Sequence, residues 1–253
     1  MVNSYAAPLP DPEAYLRRLG LEGAALPPTR ATLDAVIWAH VTHIPFETFS
    51  LLQAGTAPSL EIPAVFHKIV TCRRGGWCFE LNALLHGLLE YLGFSVRAGG
   101  AHIALRDPSP GPVDHRLIFC QAEGQEWLCD VGFGGALSRC AIPMDGAATG
   151  DGARVLPLEN GELGLFRTLA EGREKLVMRF SPETLLPEAF LEPNRRLALP
   201  GSHLTGTPTC VLLTEQGPRE LRGCRYREPG QPERTVADSE IPQLLKDRFG
   251  LAL

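Results

Sequence analysis

The spacing of apolar residues changes period once along this chain, close to Gly93. Before that point they recur every three to four positions, the pattern of one helical face. Asp11-Pro12 reads as an N-cap and first helical position, followed by Tyr15, Leu16 and Leu19 on one face and a stop at Gly20. Thr32, Leu33, Val36, Ile37 and His40 repeat in the same way until Pro45, and Ile62, Val65, Phe66 and Ile69 share a face within residues 61–71. A further helix is predicted from Cys78 to a left-handed stop at Gly93, with a broad face of Leu81, Leu84, Leu85, Leu88 and Leu92 that calls for burial. After Gly93 the apolar runs shorten. FSVRAGGAHIAL, HRLIFCQ, EWLCDVGF, EKLVMRF, PTCVLLT and ELRGCRYRE are strand-like pieces separated by turn signals. Residues 143–162, rich in Gly, Ala and Asp, read as an exposed loop, and SEIPQLLKDRFG reads as a closing helix. Helices first and strands afterwards predict an α+β fold with segregated layers.

Composition narrows the function classes. Of the 253 residues, 44% are hydrophobic and 21% charged, ordinary for a globular protein with ample core. The net charge of −5 argues against a general binder of nucleic acid or membrane surfaces, so any anionic ligand must be met by local groups. No stretch has signal-peptide or transmembrane character, and a cytoplasmic location is expected. The seven cysteines are odd in number and contain no C-x-x-C pair, so they are expected to be reduced, with no metal site among them.

One of them stands apart. In CRRGGWCFELN (72–82), Cys78 follows two glycines and a tryptophan and opens a helix, where the N-terminal dipole favours a thiolate. A nucleophilic cysteine needs a base, and the base needs an orienting acceptor. His86 lies eight residues along the same helix, about 12 Å away at a rise of roughly 1.5 Å per residue, and is out of reach. His40, His43 and His67 fall within helical patterns. His115 opens the run HRLIFCQ, which pairs with EWLCDVG across a turn at Glu123-Gly124. An even-length turn sets Ala122 opposite Gln125, Leu117 opposite Asp130 and His115 opposite Gly132, so that His115 and Asp130 share a face as diagonal neighbours. An odd-length turn separates them. Asp130 sits in an apolar run, where an unpaired carboxylate costs several kcal/mol, on the order of half the stability of a small domain, and so demands a partner. Cys78, His115 and Asp130 together would support acyl transfer through an acyl-cysteine, with first-turn amides of the helix binding the oxyanion.

RRGGWCFELN (73–82), the HR at 115–116 and WLCDVGFGG (127–135) closely resemble the three signature segments of the arylamine N-acetyltransferase family. IPFET (44–48) resembles its N-terminal IPFEN segment, and the closing RFGLAL its usual end. The resemblance spans essentially the whole chain and is strongest over residues 30–135. It implies a helical domain (1–92) carrying the nucleophile, a β-barrel domain (93–193) carrying the histidine and aspartate, and an α/β lid (194–253). It implies acetyl-coenzyme A as acyl donor and a small aromatic amine, hydrazine or N-hydroxyarylamine as acceptor, with neither nucleic acid nor membrane as partner. The family's Cys-His-Asp triad falls on Cys78, His115 and Asp130. Gly132, Gly134 and Gly135 border the coenzyme A cleft in this resemblance, where backbone without side chains would admit the cofactor; a plain strand-ending turn is the alternative. Phe133 and Trp77 are candidate walls of the aromatic pocket, with Phe79 assigned to packing. Arg73 and Arg74 either meet phosphate or anchor carboxylates such as Glu47 and Glu80.

The chain departs from the family pattern in places. Thr48 replaces the usual asparagine, AGGAHIAL replaces an arginine-containing strand and brings His102 near that place, and residues 194–210 match only loosely. The nearest rival function is an amide synthase of polyketide biosynthesis, which shares the triad and takes its acyl group from a carrier protein. A thiol hydrolase or transglutaminase-like enzyme is a more distant one, because the same triad logic recurs on several folds.

Overall fold

The computed structural model describes residues 3–105, 107–134, 138–169 and 172–251. The N-terminal third is helical where the periodicity places helices. Helix α1 (Pro12–Leu19) is capped by Asp11, whose carboxylate accepts from Ala14 N at 2.9 Å. Helix α2 (Arg30–His43) is followed by the two-residue strand β1 (Phe46–Glu47) and a short helix, α3 (Phe49–Ala54). Helix α4 (Ile62–Phe66) runs on through a π-helical turn at His67–Thr71. Helix α5 (Cys78–Tyr91) begins at the singled-out cysteine and gives way to Gly93 with φ of 88°. Leu81, Leu84, Leu85 and Leu88 are fully buried in its face, while Leu92 is partly exposed. Helix α3 has no counterpart in the sequence reading, because six residues are too few to establish a period.

The second region is an antiparallel sheet of seven strands: β2 (Ser95–Ile103), β3 (His115–Ala122), β4 (Gln125–Cys129), β5 (Ile142–Pro143), β6 (Ala153–Pro157), β7 (Leu163–Thr168) and β8 (Glu174–Phe180). Their spatial order is β5-β4-β3-β2-β8-β7-β6, and the edge strands β5 and β6 approach each other, leaving a nearly closed barrel. Leu117, Phe119, Leu128, Met178 and Phe180 fill its interior. The opposite face of the same strands, with Ile118, Cys120 and Cys129, joins the core of α5. Both faces of β3 are therefore buried, which is why HRLIFCQ reads as an almost continuous apolar run.

Two expectations need correction. Residues 143–162 do not form a single loop: β6 lies within them, with Ala153 and Val155 buried in the barrel and paired to β7. Alternating small residues in a half-buried strand carry too little hydrophobicity to stand out. ELRGCRYRE is not one strand but a hairpin, β10 (Gly217–Arg222) turning at Gly223-Cys224 into β11 (Arg225–Arg227).

The C-terminal sheet runs β1-β9-β10-β11-β12, with β9 at Thr209–Thr214 and β12 at Arg234–Thr235. Its edge strand β1 comes from the N-terminal third, with Phe46 paired to Val211. Helix α6 (Leu191–Ala198) sends Leu197 into the helical core, and α7 (Ile241–Phe249) packs Leu244, Leu245 and Phe249 against Cys210, Leu212 and Leu221. The α+β architecture expected from the sequence, with helical bundle, barrel and α/β lid, is the one observed.

Candidate active site

The glycines ahead of Cys78 let two segments touch. A Cβ on Gly75 would lie 2.4 Å from the Pro45 carbonyl oxygen, and Glu47 N donates to Gly76 O at 2.8 Å. The IPFET and RRGGW segments are thereby laced side by side. Arg74 lies 3.7 Å from the fully buried Glu47, a structural anchor, whereas Glu80 is paired with Lys68 at 2.8 Å. Burial pushes the Glu80 carboxyl up, and Lys68 opposes it.

Cys78 occupies the first position of α5, and its sulfur lies 3.9 Å from the carbonyl oxygen of Asp114. Across from it, the β3–β4 hairpin turns through Glu123 (φ 54°) and Gly124 (φ 79°), both left-handed, as a two-residue type I′ turn requires. Ala122 faces Gln125 and Ile118 faces Cys129, the even-loop register. Continued by one step, that register sets Leu117 opposite Asp130. His115 and Asp130 accordingly meet: Nε2 of the imidazole is 2.8 Å from Oδ2 of the carboxylate, and both side chains are 2% exposed.

The buried carboxylate is fully engaged. Its Oδ1 accepts from Asn82 Nδ2 and from Gly132 N, each at 2.8 Å. Asn82 lies one turn along α5 from Cys78; it also donates to Arg116 O at 2.6 Å and accepts from Val131 N at 3.0 Å, tying the helix that Cys78 opens to both arms of the hairpin. Sequence reasoning passed over Asn82, although an amide on the leucine-rich face of α5 was a signal that could have found it. Burial alone would raise Asp130, but His115, Asn82 and Gly132 hold it below the ordinary aspartate range. Burial likewise works against a charged His115, yet Asp130, then the Cys78 sulfur, lift it well above the ordinary histidine range. Because Nε2 is committed to Asp130, Nδ1 is the ring nitrogen left to face the cavity.

Cys78 and His115 open on a cavity of about 290 Å³ that Phe133, Ile103 and Leu105 also line, with His203 and Arg222 from the C-terminal half. Phe133 packs edge-on against His115, with ring centroids 5.8 Å apart. Trp77 does not line this cavity. It is buried in the helical core, perpendicular to Phe79 at 5.5 Å, because the residue before the helix turns inward as Cys78 turns out. Phe79 packs between Trp77 and Phe190. Gly132 and Gly134 do line the cavity, but their lack of a side chain serves the fold: a Cβ on Gly132 would sit 2.5 Å from Cys78 Cα, and one on Gly134 2.3 Å from the Phe46 ring. Gly135 lies outside the described residues.

A family model described as N-acetyltransferase matches residues 29–253. An arylamine N-acetyltransferase of Mycolicibacterium smegmatis is 33% identical over 94% of this chain and 91% of its own. The chain belongs to the arylamine N-acetyltransferase family. Solved members have the same fold. The arylamine N-acetyltransferase of Salmonella typhimurium superposes with a TM-score of 0.87 at 27% identity, covering 97% of this chain and 92% of that one. The Mycobacterium marinum enzyme, solved in complex with CoA, superposes with a TM-score of 0.86 at 24% identity over 95% of this chain and 92% of its own. The protein is thus an N-acetyltransferase of this family. Among the described residues no helix is long and apolar enough to cross a membrane.

Proposed function

We propose that this enzyme moves an acetyl group from acetyl-coenzyme A to an arylamine, arylhydrazine or N-hydroxyarylamine by way of an acetyl-cysteine on Cys78, in a ping-pong sequence. The reading is carried by one observation: a buried His115–Asp130 pair beside a cysteine at a helix N-terminus, with Cys78 and His115 open to one largely apolar cavity.

The proposed chemistry follows from the pair. His115 holds a proton beside the sulfur, and Asp130 keeps the imidazole oriented and stabilises its charged form. Cys78 sulfur attacks the thioester carbonyl; the carbon–sulfur bond to the donor breaks, and His115 returns its proton to the departing thiolate. The amides of Cys78 and Phe79, first in α5, have no carbonyl one turn back and are available to the oxyanion. In the second half-reaction the acceptor nitrogen attacks acetyl-Cys78, His115 takes the nitrogen's proton, and the Cys78 thiolate leaves. An aromatic amine suits this step because it is weakly basic and stays neutral and nucleophilic near neutral pH.

The donor cleft in this reading lies along the cavity wall of Gly132 and Gly134, with Phe133 facing the acceptor; that the Mycobacterium marinum relative was solved in complex with CoA supports coenzyme A as the donor's carrier. Residues 1–92, 93–193 and 194–253 act as three working units, supplying the nucleophile, the histidine–aspartate pair, and the wall of His203 and Arg222. In this reading the enzyme works in the cytoplasm on a small aromatic partner. Intact-mass measurement after incubation with acetyl-coenzyme A alone tests the reading. Wild type should gain one acetyl group and lose it to an added aromatic amine, and Cys78→Ala should gain none. An unmodified wild-type mass would overturn the proposal.

A further inference from the structure

The cavity that holds Cys78 and His115 contains a second histidine–carboxylate pair with no task in the steps above. His102 stands near the end of β2, and its Nδ1 lies 3.0 Å from Asp114 Oδ2. Asp114 is held on three sides. Its Oδ1 accepts from Ile103 N at 2.8 Å, its N–H donates to Ala101 O at 2.9 Å, and the next residue is His115. Its carbonyl oxygen is the one 3.9 Å from Cys78 Sγ, so the pair adjoins the nucleophile. The His102 side chain is 19% exposed and that of Asp114 10%, and both open on the cavity.

The approach is off the hydrogen-bond line, yet a carboxylate oxygen 3.0 Å away repels a nitrogen lone pair, so Asp114 favours the tautomer with the proton on Nδ1 and the lone pair of His102 on Nε2. The neighbouring wall is apolar, built by Ile103, Leu105 and Phe133. The lining guanidinium of Arg222 is engaged elsewhere, donating to Gly134 O at 3.1 Å and lying 3.4 Å from Glu220. A second lining carboxylate, Asp107, accepts from Ser109 N at 2.9 Å. A hydrogen-bonding position flanked by apolar side chains discriminates between ligands, because a ligand that cannot satisfy it leaves it desolvated and unpaired.

We propose that the His102–Asp114 pair selects the acyl acceptor. His102 Nε2 accepts a hydrogen bond from a hydroxyl or N–H on the acceptor, favouring aminophenols and hydrazides over aminobenzoates, whose carboxylate offers no proton and meets the charges of Asp114 and Asp107. The inference rests on the acetyl-transfer reading above and adds to it the class of acceptor.

In a ping-pong scheme kcat/KM for the acceptor reports only the second half-reaction, so the ratio for two acceptors is independent of Cys78 loading. The ratio for 4-aminophenol over 4-aminobenzoate is measured in wild type and variants, which cancels the two amines' intrinsic nucleophilicities. His102→Leu should lower it about tenfold, the loss expected for one hydrogen bond. His102→Gln, which keeps an acceptor, should retain most of it. Asp114→Asn, which preserves shape but releases the tautomer, should lower it in the same direction and serves if His102→Leu does not fold. A ratio unmoved in folded His102→Leu or in Asp114→Asn overturns the proposal. Failure of wild-type Cys78 to take up acetyl strikes the underlying reading instead, and the mass measurement distinguishes the two.

Discussion

A single buried carboxylate organises the site. Asp130 sits where an ionised group costs several kcal/mol unless paired, on the order of half the stability of a small domain, and three donors converge on it: His115 Nε2, Asn82 Nδ2 and Gly132 N. The charge that orients the His115 imidazole therefore also ties α5 to the barrel. His115 is raised in the folded state, so the stability its charge contributes is complete below the ordinary histidine value of about 6.5 and is lost as pH climbs through the raised value. Asp130 is lowered, so its contribution is complete above the ordinary aspartate value of about 3.9 and is lost as pH falls through the lowered value. Between those limits the ion pair is intact. Asp130→Asn keeps the size of the side chain but removes the charge that holds His115 protonated; acetyl transfer should drop by about 10⁴, the loss that this change produces in a serine-protease triad. Steady-state rates alongside far-UV circular dichroism check it, and near-normal turnover in a folded variant removes Asp130 from the chemistry.

Between elements, polar contacts between helices carry consequences that apolar packing does not. Tyr15 of α1 and His40 of α2 share a fully buried hydrogen bond, Oη to Nδ1 at 2.7 Å. Burial, then the charges of Arg18 and His43, push His40 down to about 3. The folded state therefore refuses a proton that the unfolded chain accepts. Stability from this group is complete above about 6.5 and drains as pH falls from there toward the folded value, by about 1.4 kcal/mol per pH unit. Denaturant melts between pH 7 and pH 5 should show that slope in wild type and a shallower one in His40→Gln. Equal slopes in the two proteins remove His40 from the acid response. The barrel hairpin illustrates the other element-level device. Its two left-handed residues, Glu123 and Gly124, set the parity of the β3–β4 pairing, and parity alone decides whether His115 and Asp130 share a face.

The molecule as a whole is closed by a crossing that leaves the cavity of Cys78 and His115 between distant segments. Strand β1 leaves the helical third to edge the C-terminal sheet, and just beyond it Thr48 exchanges two hydrogen bonds with Thr209: Thr48 N to Thr209 O at 2.9 Å, and Thr209 N to Thr48 Oγ1 at 3.0 Å. Through this clasp Phe46 and Thr209 reach the cavity wall together with Cys78 and His115. Thr48→Val keeps the shape and strips the acceptor, leaving a buried N–H unpaired at a cost of about 1–3 kcal/mol. The denaturation midpoint should fall accordingly, whereas Thr48→Asn, the usual family residue, retains an acceptor and should lie closer to wild type. An unchanged midpoint in Thr48→Val shows that the clasp contributes nothing to closure.

Local order was legible without coordinates. Helices α1, α2 and α5 follow from their caps and their apolar period, both set by neighbours a few residues apart, and the Glu123-Gly124 turn implied a pairing that an aspartate inside an apolar run made costly to refuse. The convergence of Cys78, His115 and Asp130 was within reach of that reasoning. Other features depended on contacts that no window of sequence contains. Asn82 bonds residues 34 to 49 positions away, Thr48 meets a strand 161 residues on, and Trp77 faces the core although its neighbour faces the cavity. Strand β6 pairs in the barrel without a hydrophobic signal of its own. Periodicity reports which face of an element is buried; which distant group lies against that face is decided only when the elements pack.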